Sequence, residues 1–229
     1  MDILGTPFSD LPSWLEGLGV RSIHAGRLFR GVHRDRIPIP EIRDIGRVAT
    51  RIDAASWFAT ARIDRVVPAP GGVEKVVFAL HDGLEVEGVL LPSKVDGRTT
   101  LCLSSQVGCG MGCAFCATAT LGLRRSLHAG EIVAQVYAAR DHLEADGRSL
   151  THLVFMGMGE PLAAYDAVVD ALHVLFERRG RPLSQRRVTV STVGLTSRMR
   201  SLTALFPRIQ LALSLHAGTD ATRRRIIPS

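Results

Sequence analysis

Three of the four cysteines in this 229-residue chain fall within eight residues, Cys109-Gly-Met-Gly-Cys113-Ala-Phe-Cys116. The C-x3-C-x2-C spacing can point three thiolates into one small volume, and Gly108, Gly110 and Gly112 let the backbone bend around it. Clustered thiolates select soft metals, chiefly zinc or iron–sulfur centres. Structural zinc takes four ligands at paired spacings. Three ligands in an uneven loop suit instead a cubane 4Fe–4S cluster with one iron left open. That iron can bind a substrate or cofactor, S-adenosylmethionine (SAM) first among them. The plain alternative is three buried structural cysteines.

Downstream of the loop, three further stretches place polar groups where strands are expected to end. Gly157-Met158-Gly159-Glu160-Pro161 allows close backbone approach and offers the Glu160 carboxylate to an ammonium or a ribose hydroxyl. Thr189-Val190-Ser191-Thr192 supplies hydroxyls, and Ser214-Leu215-His216 a hydroxyl and an imidazole. Taken singly, these read as a turn, a helix cap and a core histidine. Following a three-cysteine loop, they describe a rim able to hold SAM.

The elements that would carry these groups fall into two parts. From Ser9 to Phe58 the pattern is short and helical. Helices are predicted from Leu11, over 24–32, over 40–49 and over 54–60, the last capped by Asp53. Residues 62–103 change to strand-like periods at 63–67, 74–80, 84–91 and 99–103, with hairpin turns at Gly71-Gly72 and His81-Asp82-Gly83. These helices and the hairpin form an accessory domain, 1–95. From residue 96 to 229 strands (152–156, 187–191, 209–215) alternate with helices (129–145, 165–178, 196–205 and from Asp220). Repeated β–α units imply a parallel sheet or barrel, whose functional residues gather at the carboxyl ends of its strands. The predicted fold is α/β: a partial, TIM-like barrel behind a small helical and β-hairpin domain.

Composition limits the setting. The chain is 46% hydrophobic with mean hydropathy +0.16, globular in character. No apolar run approaches a membrane span of about 18 residues, and the N-terminus does not read as a signal peptide. Four cysteines, three in one loop, are no secreted disulfide framework, so a reducing cytoplasm is expected. The net charge of +6 and pI near 9.8 suit a nucleic-acid partner. The arginine runs, Arg223-Arg224-Arg225 among them, read individually as solvated faces.

Five stretches in order carry a resemblance. They are Thr100-Leu-Cys-Leu-Ser-Ser-Gln-Val-Gly-Cys109, the cluster loop Cys109–Cys116, Val154-Phe-Met-Gly-Met-Gly-Glu-Pro-Leu162, Arg187-Val-Thr-Val-Ser-Thr192 and Leu213-Ser-Leu-His-Ala217. The chain closely resembles the RlmN/Cfr family of radical-SAM methyltransferases, which act on an adenine of 23S ribosomal RNA. The resemblance implies that Cys109, Cys113 and Cys116 hold the 4Fe–4S cluster, and that Gly159, Glu160, Ser191, Ser214, Leu215 and His216 contact SAM. It implies a resolving role for Cys102 and a proton-accepting role for Glu87, which otherwise read as a buried strand cysteine and an exposed strand carboxylate. The partners it implies are 23S rRNA, transfer RNA as a further substrate, and an electron donor such as flavodoxin or ferredoxin, with the enzyme a monomer.

Family chemistry also calls for a methyl-carrying cysteine near the C-terminus, and no cysteine follows Cys116 here. The expectation is therefore a fragment of a longer protein or a truncated relative, marginally soluble alone because an open parallel sheet leaves an unpaired edge. Ala117-Thr118-Ala119, Leu123 and Ser126 depart from the family's usual residues after the cluster. Methylation at C2 of adenine is the leading expectation. The alternatives are methylation at C8, a radical-SAM enzyme of other substrate, and a non-catalytic or zinc-structured remnant.

Overall fold

The computed structural model describes residues 1–93 and 97–228. In chain order the elements are α1 (Leu11–Gly17), α2 (Ala25–Arg30), α3 (Ala49–Ala54), β1 (Ala61–Ala69), β2 (Val73–Leu80), β3 (Glu85–Pro92), β4 (Arg98–Cys102) and β5 (Gln106–Gly108). There follow α4 (Ala117–Thr120), β6 (Leu123–Ser126), α5 (Ala129–Ala145), β7 (Ser149–Phe155), α6 (Tyr165–Phe176), β8 (Val188–Thr192), α7 (Thr196–Leu205), β9 (Gln210–Leu213) and α8 (Asp220–Ile226).

Among the described residues the strands make two sheets. The larger runs β1-β2-β3-β4-β7-β8-β9. Its first three pairings are antiparallel, and β4-β7, β7-β8 and β8-β9 are parallel. The parallel half with its crossover helices is a partial TIM-like β/α barrel. The boundary expected near residue 95 lies outside the described residues, and the sheet continues across it by pairing β3 with β4. The smaller sheet, β5 with β6, brackets the cysteine loop.

Leu101 of β4, Leu153 and Phe155 of β7, and Val188 and Val190 of β8 are buried in the common core. The long helix α5 carries Ile132, Val133, Val136, Ala139 and Leu143 into it at helical spacing. Its N-terminus is secured three ways. Glu131 accepts the His128 N–H (2.8 Å) in a capping box, and the Asp2 carboxylate accepts from Gly130 N–H (3.1 Å). A carboxylate there also meets the positive end of the helix dipole.

Two predicted helices are corrected. The helix expected over 40–49 is instead a pair of 3-10 segments, Ile39–Glu41 and Arg43–Val48, interrupted where Gly46 takes φ +51°, and α3 begins only at Ala49. The helix expected over 54–60 does not form. Trp57 is extended there, exchanging main-chain hydrogen bonds with Met1 and Ile3 (2.9 and 3.0 Å), and Asp53 lies in the last turn of α3. Pairing with the N-terminal residues satisfies main-chain groups that helix propensity alone would have assigned inward.

His33, buried against Phe29, links the accessory helices to α5 through Tyr137, whose hydroxyl is 2.9 Å from Nδ1. Burial lowers its pKa from 6.5 to about 3, a hydrogen bond with the Ile3 main chain working weakly the other way. The unfolded chain binds that proton and the folded chain resists it. Stability contributed by the neutral ring is therefore present above pH 6.5 and lost as pH falls toward 3, by about 1.4 kcal/mol per unit once His33 protonates in the unfolded state. A His33→Gln variant is expected to flatten that slope in urea unfolding measured across this window.

Candidate cluster and SAM site

The cysteine loop is closed by main-chain geometry. β5 and β6 pair from Gln106–Ser126 to Gly108–Leu123, and Cys109 N–H donates to the Gly122 carbonyl (3.1 Å). Gly108 takes φ +78°, and a Cβ there would stand 1.8 Å from that carbonyl oxygen, so no side chain fits. Gly112 is likewise at positive φ, but Gly110 is not, and a Cβ on it would meet only ordinary contacts. The bend expected at three glycines is made at two.

A cavity of about 310 Å³ opens between this loop and the carboxyl ends of β7, β8 and β9. Cys109, Cys113 and Cys116 line it together with Gly159, Glu160, Ser191, Ser214 and His216, and with Met156, Thr192 and Val193; the Cys109 thiol meets the Glu160 main chain. Ser191 Oγ and Ser214 Oγ lie 3.2 Å apart, and the His216 ring packs against Phe115 of the cysteine loop, tilted by 52° with centroids 4.5 Å apart. His216 holds φ +56°, a left-handed backbone that a non-glycine residue takes at a cost. Leu215, exposed, does not line the cavity.

Glu160 is buried, and both of its carboxylate oxygens accept main-chain N–H groups, Leu162 at 3.0 Å and Val193 at 2.9 Å. It thereby ties the β7 loop to the β8 end, a structural duty that its position in the sequence does not disclose. Burial raises the Cys109 and Cys113 thiols above their ordinary range, and neighbouring thiols and the Glu160 charge add to this, while main-chain hydrogen bonds, from Met111 and Glu160 at Cys109, work against it.

Among the described residues no three His, Cys, Asp or Glu side chains stand close enough to hold a single metal ion. The fit to a cluster rests on the donor set instead: three thiols on one loop facing a shared cavity that hydroxyls and an imidazole also line. Cys109, Cys113 and Cys116 would hold its irons, leaving SAM to the strand ends.

Neither Cys102 nor Glu87 lines the cavity, although the Cys102 thiol meets the main chain of Met156, which does. Cys102 ends β4, half-buried, and burial raises its thiol. Glu87 lies across the sheet on β3, its carboxylate 2.5 Å from Lys75 Nζ. Its main chain does reach the rim: its N–H points to Met158 Sδ (3.4 Å), and its carbonyl accepts from Ser104 Oγ (2.6 Å), which in turn accepts from Met158 N–H.

Two groups escaped the sequence reading. Gln106 is buried, with Oε1 accepting from Glu160 N–H (2.9 Å) and Nε2 donating to Ser126 Oγ (3.2 Å). Its stem fills the space that a Cβ on Gly159, at φ +96°, would need. Arg125 of β6 forks onto the buried Glu131 (2.7 and 2.9 Å) and also pairs with Asp82. His81 Nδ1 lies 3.0 Å from the same Glu131. These contacts fasten the cluster hairpin to the β7 loop, the β2–β3 turn and α5. Gln106→Leu is expected to cost about 1–3 kcal/mol in urea unfolding, because it strands the Glu160 N–H without a partner.

A profile described as the Radical SAM superfamily matches residues 103–228, which covers the cysteine loop and every strand end around the cavity. A chain from Pelobacter propionicus named dual-specificity RNA methyltransferase RlmN is 39% identical over 99% of this chain and 64% of its own length. The chain belongs to the RlmN/Cfr family of radical-SAM proteins. A Nitrosopumilus maritimus relative, named ribosomal RNA large subunit methyltransferase N, is 44% identical over 73% of this chain and 49% of its own. The crystal structure of a radical SAM methyltransferase from Sphaerobacter thermophilus superposes with TM-score 0.86 at 35% identity, covering all of this chain and 67% of that one. The chain thus spans a little under two thirds of the length of the curated RlmN relative. Membership agrees with the resemblance read from the five stretches of sequence.

Proposed function

We propose that this chain carries the cluster-binding and SAM-binding parts of a radical-SAM RNA methyltransferase acting at C2 of an adenine in 23S rRNA, with transfer RNA as a second substrate. The observation that supports it most is the single cavity shared by Cys109, Cys113, Cys116, Glu160, Ser191, Ser214 and His216. On this reading Gly159 lets the cofactor approach the backbone, and Leu215, outside the cavity lining, meets SAM only where it extends past the mouth. Bound there, a reduced 4Fe–4S cluster supplies the electron that cleaves SAM. The protein's own part is to orient SAM, keep water from the cavity and hold the RNA base.

Cys102 serves as the resolving thiol and Glu87 as proton acceptor. For Glu87 this requires the carboxylate to leave Lys75 and turn toward the rim that its main chain already touches. Residues 1–95 act as the accessory domain and 96–229 as the catalytic core. The net charge of +6 favours RNA. A flavodoxin- or ferredoxin-type donor, a monomeric state and a cytoplasmic setting complete the proposal. Among the described residues no helix is long and apolar enough to cross a membrane.

The methyl-carrying cysteine that the reaction requires is not among the four cysteines of this sequence. The test supplies one, by extending the chain with the part of a relative's length that this sequence does not span. Anaerobic incubation with reductant, methyl-deuterated SAM and 23S rRNA or tRNA is followed by mass spectrometry of the adenosines. Labelled 2-methyladenosine is expected. Labelled 8-methyladenosine would move the target carbon, and cleaved SAM with unmodified RNA would reject an RNA substrate.

A further inference from the structure

The run Arg223-Arg224-Arg225 reads in sequence as a solvated basic face, but its first member is set apart by the fold. Arg224 and Arg225 are exposed, whereas Arg223 is half-buried. Its Nη2 donates to the main-chain carbonyl of Val193 and faces that of Ser214 at 3.5 Å. Val193 follows β8 and Ser214 follows β9. One guanidinium therefore spans the two segments that carry Ser191 and Ser214.

The other end of α8 meets the cluster loop. Ala114 N–H donates to the Ile226 carbonyl (2.9 Å), Ile227 is buried, and a Cβ on Gly112 would come within 3.2 Å of the Pro228 ring. The start of the helix is fixed by Thr219 Oγ1, which accepts from Thr222 N–H at 3.3 Å. Each contact is ordinary alone. Together they make α8 a strut, with the hydroxyl-bearing strand ends at Arg223 and the cysteine loop at Ile226–Pro228.

We propose that Arg223 is a positioning residue that sets the spacing between the cluster loop and the β8 and β9 rims of the cavity. Its purpose, though not its geometry, rests on reading that cavity as the SAM site. A guanidinium suits this role because the two N–H bonds of its planar Nη2 point in fixed directions, one toward each carbonyl, and the group stays charged. Hydrogen bonds from a charged donor are also about twice as strong as neutral ones. Lysine keeps the charge but presents it as a point, so it replaces the function only in part.

Hydrogen exchange read by mass spectrometry tests the strut without any cofactor, on the wild type, R223A, R223K and R224A. In R223A exchange is expected to rise at the segments holding the Ser214 amide, bonded to Thr192, and the Ala114 amide, while α5 stays protected. R224A is expected to match the wild type, and R223K to fall between. Wild-type exchange at both segments in R223A overturns the proposal. If R223A exchanges throughout, R223K decides: a rise confined to the two segments supports the strut, and none overturns it.

Equilibrium dialysis of SAM against the iron- and sulfide-loaded proteins then tests its purpose. R223A is expected to raise Kd roughly tenfold or more, and R224A to leave it unchanged. Equal Kd in R223A and wild type overturns the positioning role. If the wild type binds no SAM, the reading of the cavity fails, while the exchange data still decide whether Arg223 ties the segments.

Discussion

Replacing Cys113 with alanine is expected to drop iron retention after anaerobic reconstitution from about four atoms per chain to nearly none. Cys113 is the middle cysteine of the loop, buried, and flanked by Cys109 and Cys116 around one cavity. Two thiols cannot hold a cubane that needs at least three. Cys102→Ala, at the end of β4 and outside the cavity, is the matched control and should keep its iron. Iron and sulfide assays with visible absorption spectra check both. The fold should survive either change, since Cys113 forms no bond of the core sheet and the loop is closed independently by Cys109 N–H on Gly122.

Glu131→Ala is expected to be the most damaging single change to stability away from the loop. The Glu131 side chain is fully buried, and its oxygens hold Arg125, the His128 N–H and the His81 ring together. Removing it leaves the Arg125 guanidinium with only Asp82 and the Ser126 carbonyl, and deletes half of the α5 capping box. Breaking a buried pair in this way costs about 3–5 kcal/mol, which lowers Tm by roughly 10 °C in a chain of this size. Replacing both partners, Arg125→Leu with Glu131→Leu, is expected to cost less than the sum of the single changes, since neither leaves a buried charge behind. Thermal unfolding of the wild type, Glu131→Ala, Arg125→Leu and Glu131→Leu made singly, and the double leucine variant measures the difference. Because Arg125 sits on β6, the same variant should also loosen the cluster hairpin and slow iron uptake.

Much of this arrangement was legible before any coordinates. The helix expected over 129–145 follows from apolar spacing and matches α5, and the one expected over 196–205 matches α7. The Gly71-Gly72 and His81-Asp82-Gly83 turns mark the hairpins because few other residues tolerate their backbone angles. The cysteine loop and three strand ends foretold one cavity, since strands of a parallel sheet deliver their carboxyl ends to one edge. What stayed hidden depends on partners far off in sequence. β5 and β6 are three and four residues long, with arginines where alternation would be sought, and exist only because each pairs with the other. Trp57 gave a helical signal that the N-terminal residues override. The clamps made by Gln106, Glu131 and Arg223 join residues up to 54 positions apart, and no local pattern marks them. A glutamate three residues after His128 was the one available hint, as the N3 member of a capping box.

The most direct test of the account is mass spectrometry for 5′-deoxyadenosine after the iron- and sulfide-loaded chain is reduced anaerobically with SAM. The account predicts 5′-deoxyadenosine and methionine in equal amounts from the wild type, and none from Cys113→Ala. A loaded wild type that leaves SAM intact, or a chain that takes up zinc in place of iron and sulfide, would contradict the assignment of this cavity.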